Sequence, residues 1–354
     1  MSAHDKIKVL IVDDSAVARL AIRDALEQDP EIEIVGVAFD AYDARDKILK
    51  LNPQVITLDL EMPRMDGLTF LRILEEHHPV PVVVNSSLTP QGSAKAMEAL
   101  SAGAVDVLAK PSGSQALGEL AHQLSLHVKA AARARRIPHP PEPGAPVAPP
   151  VPGFLLAEEL SARRIILIGA STGGVEALCY LLPRLPAGLP PIAVVQHIPA
   201  NFSRAMAERL NKLSPFEVRE AREGDEFHRG LCLVAPGDFH LTLVPSGSGY
   251  RARLTQSPPV HHCRPSVDVL FRSAAQHAGA QAVAALLTGM GSDGARGMQA
   301  LRAAGAQTLA EHEDSCVVYG MPRAAIKLGV VDTVAPLEKM PGAILQALAQ
   351  PLRA

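Results

Sequence analysis

The stretch Ile165-Ile-Leu-Ile-Gly-Ala-Ser-Thr-Gly-Gly174 decides how the chain folds. Its four consecutive aliphatic residues predict a short strand buried on both faces. The glycines and serine that follow turn the chain into a helix beginning at Gly174. Gly169-Ala-Ser171-Thr-Gly173 fits Gly-x-Ser-x-Gly, the sharp strand-to-helix turn that exposes a nucleophilic hydroxyl. Alone this pattern is weak, because many Gly-Ser turns bind phosphate or simply join two elements. It also lacks the Gly-x-Gly-x-x-Gly spacing of a dinucleotide site.

Two more apolar runs end in chemistry. His197 follows Ile192-Ala-Val-Val-Gln196, and Asp293 lies in the turn Thr288-Gly-Met-Gly-Ser-Asp-Gly294 after a strand predicted over Ala282–Leu287. Parallel strands bring their C-terminal ends to one edge, so Ser171, His197 and Asp293 are expected to meet as nucleophile, base and acid. The glycines beside Met290 let backbone approach a ligand closely. The N–H groups of Thr172 and Met290 are therefore candidate oxyanion donors. The order Ser…His…Asp speaks against the α/β-hydrolase superfamily, where the Asp precedes the His. Helices are expected from Gly174, near 201–213 and after Gly294. Region 216–256 is shorter-pieced and rich in turns, which predicts antiparallel strands joined to an otherwise parallel sheet.

Working outward to the N-terminal side, the runs Val9–Val12, Ile34–Val37, Val55–Leu58, Val80–Val84 and Ala104–Leu108 alternate with helical stretches near 15–28, 40–50, 67–76, 91–101 and 114–130. Five such units imply a parallel sheet covered on both faces. Asp13 and Asp14 close its first strand and Asp59 its third. Three converging carboxylates are costly unless a hard cation neutralises them, and oxygen ligands favour Mg²⁺. Asp59 is then positioned to attack a phosphoryl donor. Ser86, ending the fourth strand, and Lys110, ending the fifth, would hold the new phosphoryl oxygens.

Between the halves, Ile137 to Gly153 carries 8 prolines in 17 residues, a semi-stiff linker that supports neither helix nor central strand. The expected division is a domain over 6–128, a linker over 129–153 and a second domain over 154–354. Residues 1–130 hold 12 Lys and Arg against 19 Asp and Glu, and residues 154–354 hold 19 against 17. Neither half has the basic excess of a nucleic-acid binder. The four cysteines lack Cys-x-x-Cys spacing and read as reduced thiols of a cytoplasmic protein. An acidic pair at Asp13-Asp14 precedes any long apolar stretch, so no signal peptide is expected. No run approaches the about 20 apolar residues of a membrane span. His261-His-Cys263 invites a zinc reading, but no fourth ligand follows at suitable spacing.

The motifs Val12-Asp-Asp-Ser15, Leu58-Asp-Leu-Glu-Met-Pro63, Met65-Asp-Gly67, Ser86-Ser87 and Lys110-Pro111 resemble the response-regulator receiver domain. That resemblance implies a flavodoxin-like fold, Mg²⁺-dependent phosphorylation of Asp59 and a sensor histidine kinase as phosphodonor. Val107 stands where receivers commonly carry an aromatic switch residue.

A second set resembles the chemotaxis protein-glutamate methylesterases: Ile168-Gly-Ala-Ser-Thr-Gly-Gly174, Val195-Gln-His-Ile-Pro199, Ala235-Pro-Gly237, Arg264-Pro-Ser-Val-Asp-Val-Leu-Phe271, Leu287-Thr-Gly-Met-Gly-Ser-Asp-Gly294 and Cys316-Val-Val-Tyr-Gly-Met-Pro322. It implies a doubly wound, mostly parallel α/β hydrolytic domain with an antiparallel portion. The implied triad is Ser171, His197 and Asp293, with no cofactor for the ester chemistry. The implied activity is phosphorylation-regulated hydrolysis of glutamate γ-methyl esters, and deamidation of glutamines, on methyl-accepting chemoreceptors. The enzyme would be a cytoplasmic monomer, not embedded in membrane. Cys263 departs from the histidine this family often has at that position. The alternative is a non-enzymatic response regulator with a nucleotide- or DNA-binding output domain.

Overall fold

The computed structural model describes residues 6–87, 89–110, 117–135 and 163–353. Contacts divide the chain into two units, Met1–Arg135 and Arg136–Ala354. The proline-rich stretch from Ile137 to Gly153 lies outside the described residues.

The first unit runs β1 (Ile7–Val12), α1 (Ala16–Leu26), β2 (Ile32–Ala38), α2 (Ala41–Leu51), β3 (Val55–Asp59), α3 (Gly67–His77), β4 (Val82–Ser86), α4 (Pro90–Ser101), β5 (Asp106–Ala109) and α5 (Leu117–Ala132). Its sheet is parallel, in the order β2-β1-β3-β4-β5. Val9 and Ile11 pack with α1 and α5, through Ile22, Leu26, Leu124 and Val128. The strand residues Val9 to Val12 are wholly buried, as expected of a sheet covered on both faces.

Each early helix starts where a side chain caps it. Ser15, Asp40, Asp66 and Thr89 accept from the N–H groups of Ala18, Asp43, Thr69 and Gly92. The α5 helix continues to Ala132, two residues past the helix end expected near 130 and four past the domain boundary expected at 128. The run Val128-Lys-Ala-Ala-Ala132 has high helix propensity, and Val128, Ala130 and Ala131 are buried.

The second unit contains β6 (Ile165–Ala170), α6 (Gly174–Leu181), β7 (Ile192–Gln196), α7 (Phe202–Leu213), β8 (Glu217–Glu220), β9 (Glu226–Phe227), β10 (Leu231–Val234), β11 (His240–Ser246), β12 (Gly249–Thr255), α8 (Val267–His277), β13 (Ala282–Leu286), α9 (Ala295–Ala303), β14 (Gln307–Glu311), α10 (Met321–Lys327), β15 (Thr333–Ala335) and α11 (Met340–Ala349). Among the described residues, seven parallel strands form one sheet in the order β15-β14-β13-β6-β7-β10-β8. The chain winds outward from β6 through β7, then returns to build β13, β14 and β15 on the other side. That reversal puts the switch point, where ligands bind in such sheets, at the C-terminal ends of β6 and its neighbours.

Region 216–256 meets expectation in part: it holds antiparallel strands, but not all of its strands are antiparallel. β8 and β10 join the main sheet as parallel strands, whereas β9, β11 and β12 form a separate antiparallel sheet in the order β11-β12-β9. Glu217-Val-Arg-Glu220 alternates in polarity because β8 is an edge strand, open on one side, and not because it is antiparallel.

Candidate active site

Ser171, His197 and Asp293 meet at the C-terminal edge of the seven-stranded sheet. Ser171 Oγ lies 3.1 Å from His197 Nδ1, and His197 Nε2 lies 2.8 Å from Asp293 Oδ2. All three side chains are largely sheltered from solvent. The turn after β6 requires a left-handed residue, supplied by Gly173 at φ 77°. The Ser171 N–H donates to Thr288 O (3.0 Å), which ties the nucleophile turn to the turn that carries Asp293. Gly289 has no room for a side chain: a Cβ there would sit 2.6 Å from Ser171 Cβ. Met290 follows Gly289 in the same turn. Thr172 is buried one residue beyond the nucleophile.

Asp293 also caps a helix that precedes it in the chain. Its Oδ1 accepts from Ser266 Oγ (2.9 Å) and from the N–H groups of Asp268 (2.9 Å) and Gly294 (3.0 Å). Its Oδ2 accepts from the Val267 N–H at 2.7 Å. Val267 and Asp268 open α8, so the carboxylate sits on the positive end of that helix. Asp268 returns the arrangement, its Oδ1 accepting from Gly297 N–H (2.6 Å) in the first turn of α9. Burial alone would raise the Asp293 pKa. The bond and charge of His197, with the α8 N–H groups, outweigh burial and hold it at about 2. Burial likewise disfavours a charged His197, but Cys263 and Asp293 lift its pKa well above the ordinary 6.5. The arrangement can move a proton from Ser171 Oγ to Nδ1 while a fixed anion steadies the resulting imidazolium.

Sequence reading missed four contributors. Gln196 donates to Ser171 O (2.8 Å) and His197 O (3.0 Å), fastening base to nucleophile. Thr288 Oγ1 donates to Thr172 O (3.0 Å) and accepts from Val318 N–H (2.9 Å). Glu311, ending β14 and wholly buried, accepts from Thr288 N–H (2.8 Å) and Ser315 Oγ (2.9 Å). Burial pushes the Glu311 carboxyl up to about 7. Ser266 was visible only as part of a motif. His261 and Cys263 turn to different partners, His261 Nε2 to Asp268 (3.2 Å) and Cys263 Sγ to His197 Nδ1 (3.5 Å). All four cysteines are free thiols.

In the first unit, carboxylate oxygens of Asp13, Asp14 and Asp59 lie within 4.8 Å of one another. Asp13 and Asp59 are buried and Asp14 is exposed. Lys110 Nζ stands 2.6 Å from Asp59 Oδ2 and 3.6 Å from Asp13 Oδ2. Burial raises the pKa of both aspartates; Asp59 adds to the rise at Asp13, and Lys110 opposes it at each. Burial also works against the Lys110 charge, but Asp59 and Asp13 outweigh it and raise its pKa. Asp13 Oδ2 is buried and accepts no hydrogen bond, an orphan that suits a hard divalent cation. Ser86 Oγ donates to Gly92 O at 3.0 Å, so its hydroxyl is engaged with α4. Val107 is buried in β5. No helix of the described residues is long and apolar enough to cross a membrane.

Comparison with known proteins places each unit in a family. Residues 166–344 match the family described as CheB methylesterase, and residues 9–122 match the response regulator receiver domain. A protein-glutamate methylesterase/protein-glutamine glutaminase 2 of Syntrophus aciditrophicus is 48% identical over 341 residues, covering 96% of this chain and 99% of its own. The protein of the same name from Pseudomonas aeruginosa is 48% identical over 352 residues, covering 97% of each. The crystal structure of the Thermotoga maritima CheB methylesterase catalytic domain is 38% identical, with a TM-score of 0.51. The match covers 52% of this chain and 98% of that one. These matches favour the hydrolase over an output domain that binds nucleotide or DNA. With the triad geometry, they establish that this chain belongs to the CheB methylesterase family, its methylesterase domain preceded by a response-regulator receiver domain.

Proposed function

We propose that the chain hydrolyses glutamate γ-methyl esters, and deamidates glutamines, on methyl-accepting chemoreceptors in the cytoplasm. The observation that carries this reading is the unbroken relay from Ser171 through His197 to Asp293. Ser171 Oγ attacks the ester carbonyl as His197 Nδ1 takes its proton. The same proton then leaves with methanol, or with ammonia from a glutamine. Backbone N–H groups of Thr172 and Met290 stabilise the oxyanion. Water cleaves the acyl-enzyme by the reverse proton path.

Asp59 is the phosphorylation site, fed by a sensor histidine kinase. Asp13, Asp14 and Asp59 would hold Mg²⁺, which supplies charge neutralisation for an incoming phosphoryl group. Lys110 pairs with the phosphoryl oxygens. Ser86 joins it by giving up its bond to Gly92, which links phosphorylation to α4. The test is methanol release from receptor-containing membranes, with and without a small phosphodonor. Release should depend on Ser171, and its stimulation on Asp59. A Ser171→Ala protein that still releases methanol within tenfold of wild type would sink the reading.

A further inference from the structure

Two side chains contend for one nitrogen of His197. Ser171 Oγ lies 3.1 Å from Nδ1, Cys263 Sγ lies 3.5 Å from the same atom, and Asp293 occupies Nε2. With its proton on Nε2, the neutral ring offers a single lone pair at Nδ1. When the thiol donates to that lone pair, Ser171 loses the acceptor for its own proton. When the proton instead passes to Nδ1, an imidazolium faces a thiolate and again no base is available. The two arrangements carry the same net charge, and both withhold Nδ1 from Ser171.

The sulfur is fixed there by backbone. Cys263 closes a two-residue turn with Val260, each N–H donating to the other's carbonyl, at 2.9 and 3.1 Å. The central residues His261 and His262 have φ of 52° and 61°, the left-handed pair that a tight hairpin turn demands and that side-chain-bearing residues seldom adopt. His261 anchors the turn to Asp268, whose other oxygen holds the start of α9. The thiol therefore rides on the same α8–α9 junction that fixes Asp293. Around His197 stand Asp293 and Cys263 directly. Asp268 and His261 lie behind them, and His240 of β11 bonds the Ser266 N–H at 3.2 Å. Of these, Cys263 and Asp293 are the groups that favour the charged ring.

We propose that Cys263 is a positioning residue that restrains the catalytic base: its thiol competes with Ser171 for His197 Nδ1 and so sets the fraction of enzyme able to attack. The inference rests on Ser171 being the nucleophile. The test is the pH profile of labelling by a fluorophosphonate probe, using full-length wild type, Cys263→Ala, Cys263→Ser and Ser171→Ala. Near neutral pH, Cys263→Ala should label about threefold faster or more, with its acid limb about half a pH unit lower. Cys263→Ser keeps a donor but no ready anion, and should fall between. Wild-type rate and midpoint in Cys263→Ala would overturn the proposal. So would a slower Cys263→Ala restored by Cys263→Ser, because the side chain would then support the triad instead of restraining it. Labelling of Ser171→Ala at the wild-type rate would instead remove the nucleophile assignment itself.

Discussion

The two units place aspartates at the same topological position, the C-terminal edge of a parallel sheet, and prepare them in opposite ways. Asp293 receives four N–H and O–H donors besides His197, and its pKa falls to about 2. Asp13 and Asp59 receive one backbone N–H each, from Ser15 and Glu61, and their pKa values rise. In the roles proposed above, the carboxylate that stays a spectator anion is saturated with donors. Asp13 and Asp59, proposed to bind a cation or attack phosphorus, have fewer, with Lys110 as the cation beside them. Donor count, along with burial, distinguishes the two settings.

The sharpest way to break this contrast is at the nucleophile. Ser171→Ala should lower methanol release by about 10⁴-fold or more while leaving the melting temperature near wild type, since only a hydroxyl is lost. In the first unit the corresponding change is Asp59→Asn, which keeps shape but removes the attacking charge. Labelling by acetyl phosphate with Mg²⁺ should fall to background, and persistent label would move the site elsewhere.

Glu311 sharpens the comparison, being a buried carboxyl in which hydrogen bonds from Thr288 and Ser315 do not outweigh burial. Its folded value of about 7 exceeds its ordinary 4.5, so the native state keeps a proton that the unfolded chain has released. Stability should therefore fall as pH rises from about 4.5 to 7, by up to roughly 3 kcal/mol, and level off above. Glu311→Gln should abolish that slope in urea melts. An unchanged slope would mean that the carboxyl titrates normally. The smallest effect is expected at Ser266→Ala, which removes one of the donors to Asp293. A loss of about 1.5 kcal/mol of triad stabilisation would appear as roughly tenfold in kcat.

The sequence displayed the strand ends clearly because each is a run of aliphatic residues followed by Asp, Ser, His or Lys. It therefore placed Asp13, Asp59, Lys110, Ser171, His197 and Asp293 at sheet edges, and the structure brings each set together. The supporting contacts were harder to read. Asp293 reaches back to Ser266 and Val267, 27 and 26 residues away, across a helix packing that no local pattern encodes. Glu311 and Gln196 sit at strand ends like the others, but their work is done through backbone atoms of Thr288, Ser171 and His197, which carry no residue-type signal. Cys263 was marked by its His-His-Cys motif and its departure from the family's usual histidine; only folding of the His261-His262 turn aims it at His197. The parallel β8 was hidden by its exposed edge.

The reciprocal capping of α8 and α9 has a consequence for descent. Asp293 closes the start of α8 as well as holding His197, and Asp268 does the same for α9. Ser171 has no comparable structural duty in its side chain. A lineage released from selection for esterase activity could discard the Ser171 hydroxyl at once, yet would keep Asp293 for as long as the domain had to fold. In such descendants a retained aspartate at this position would testify to architecture, and the serine alone would testify to chemistry.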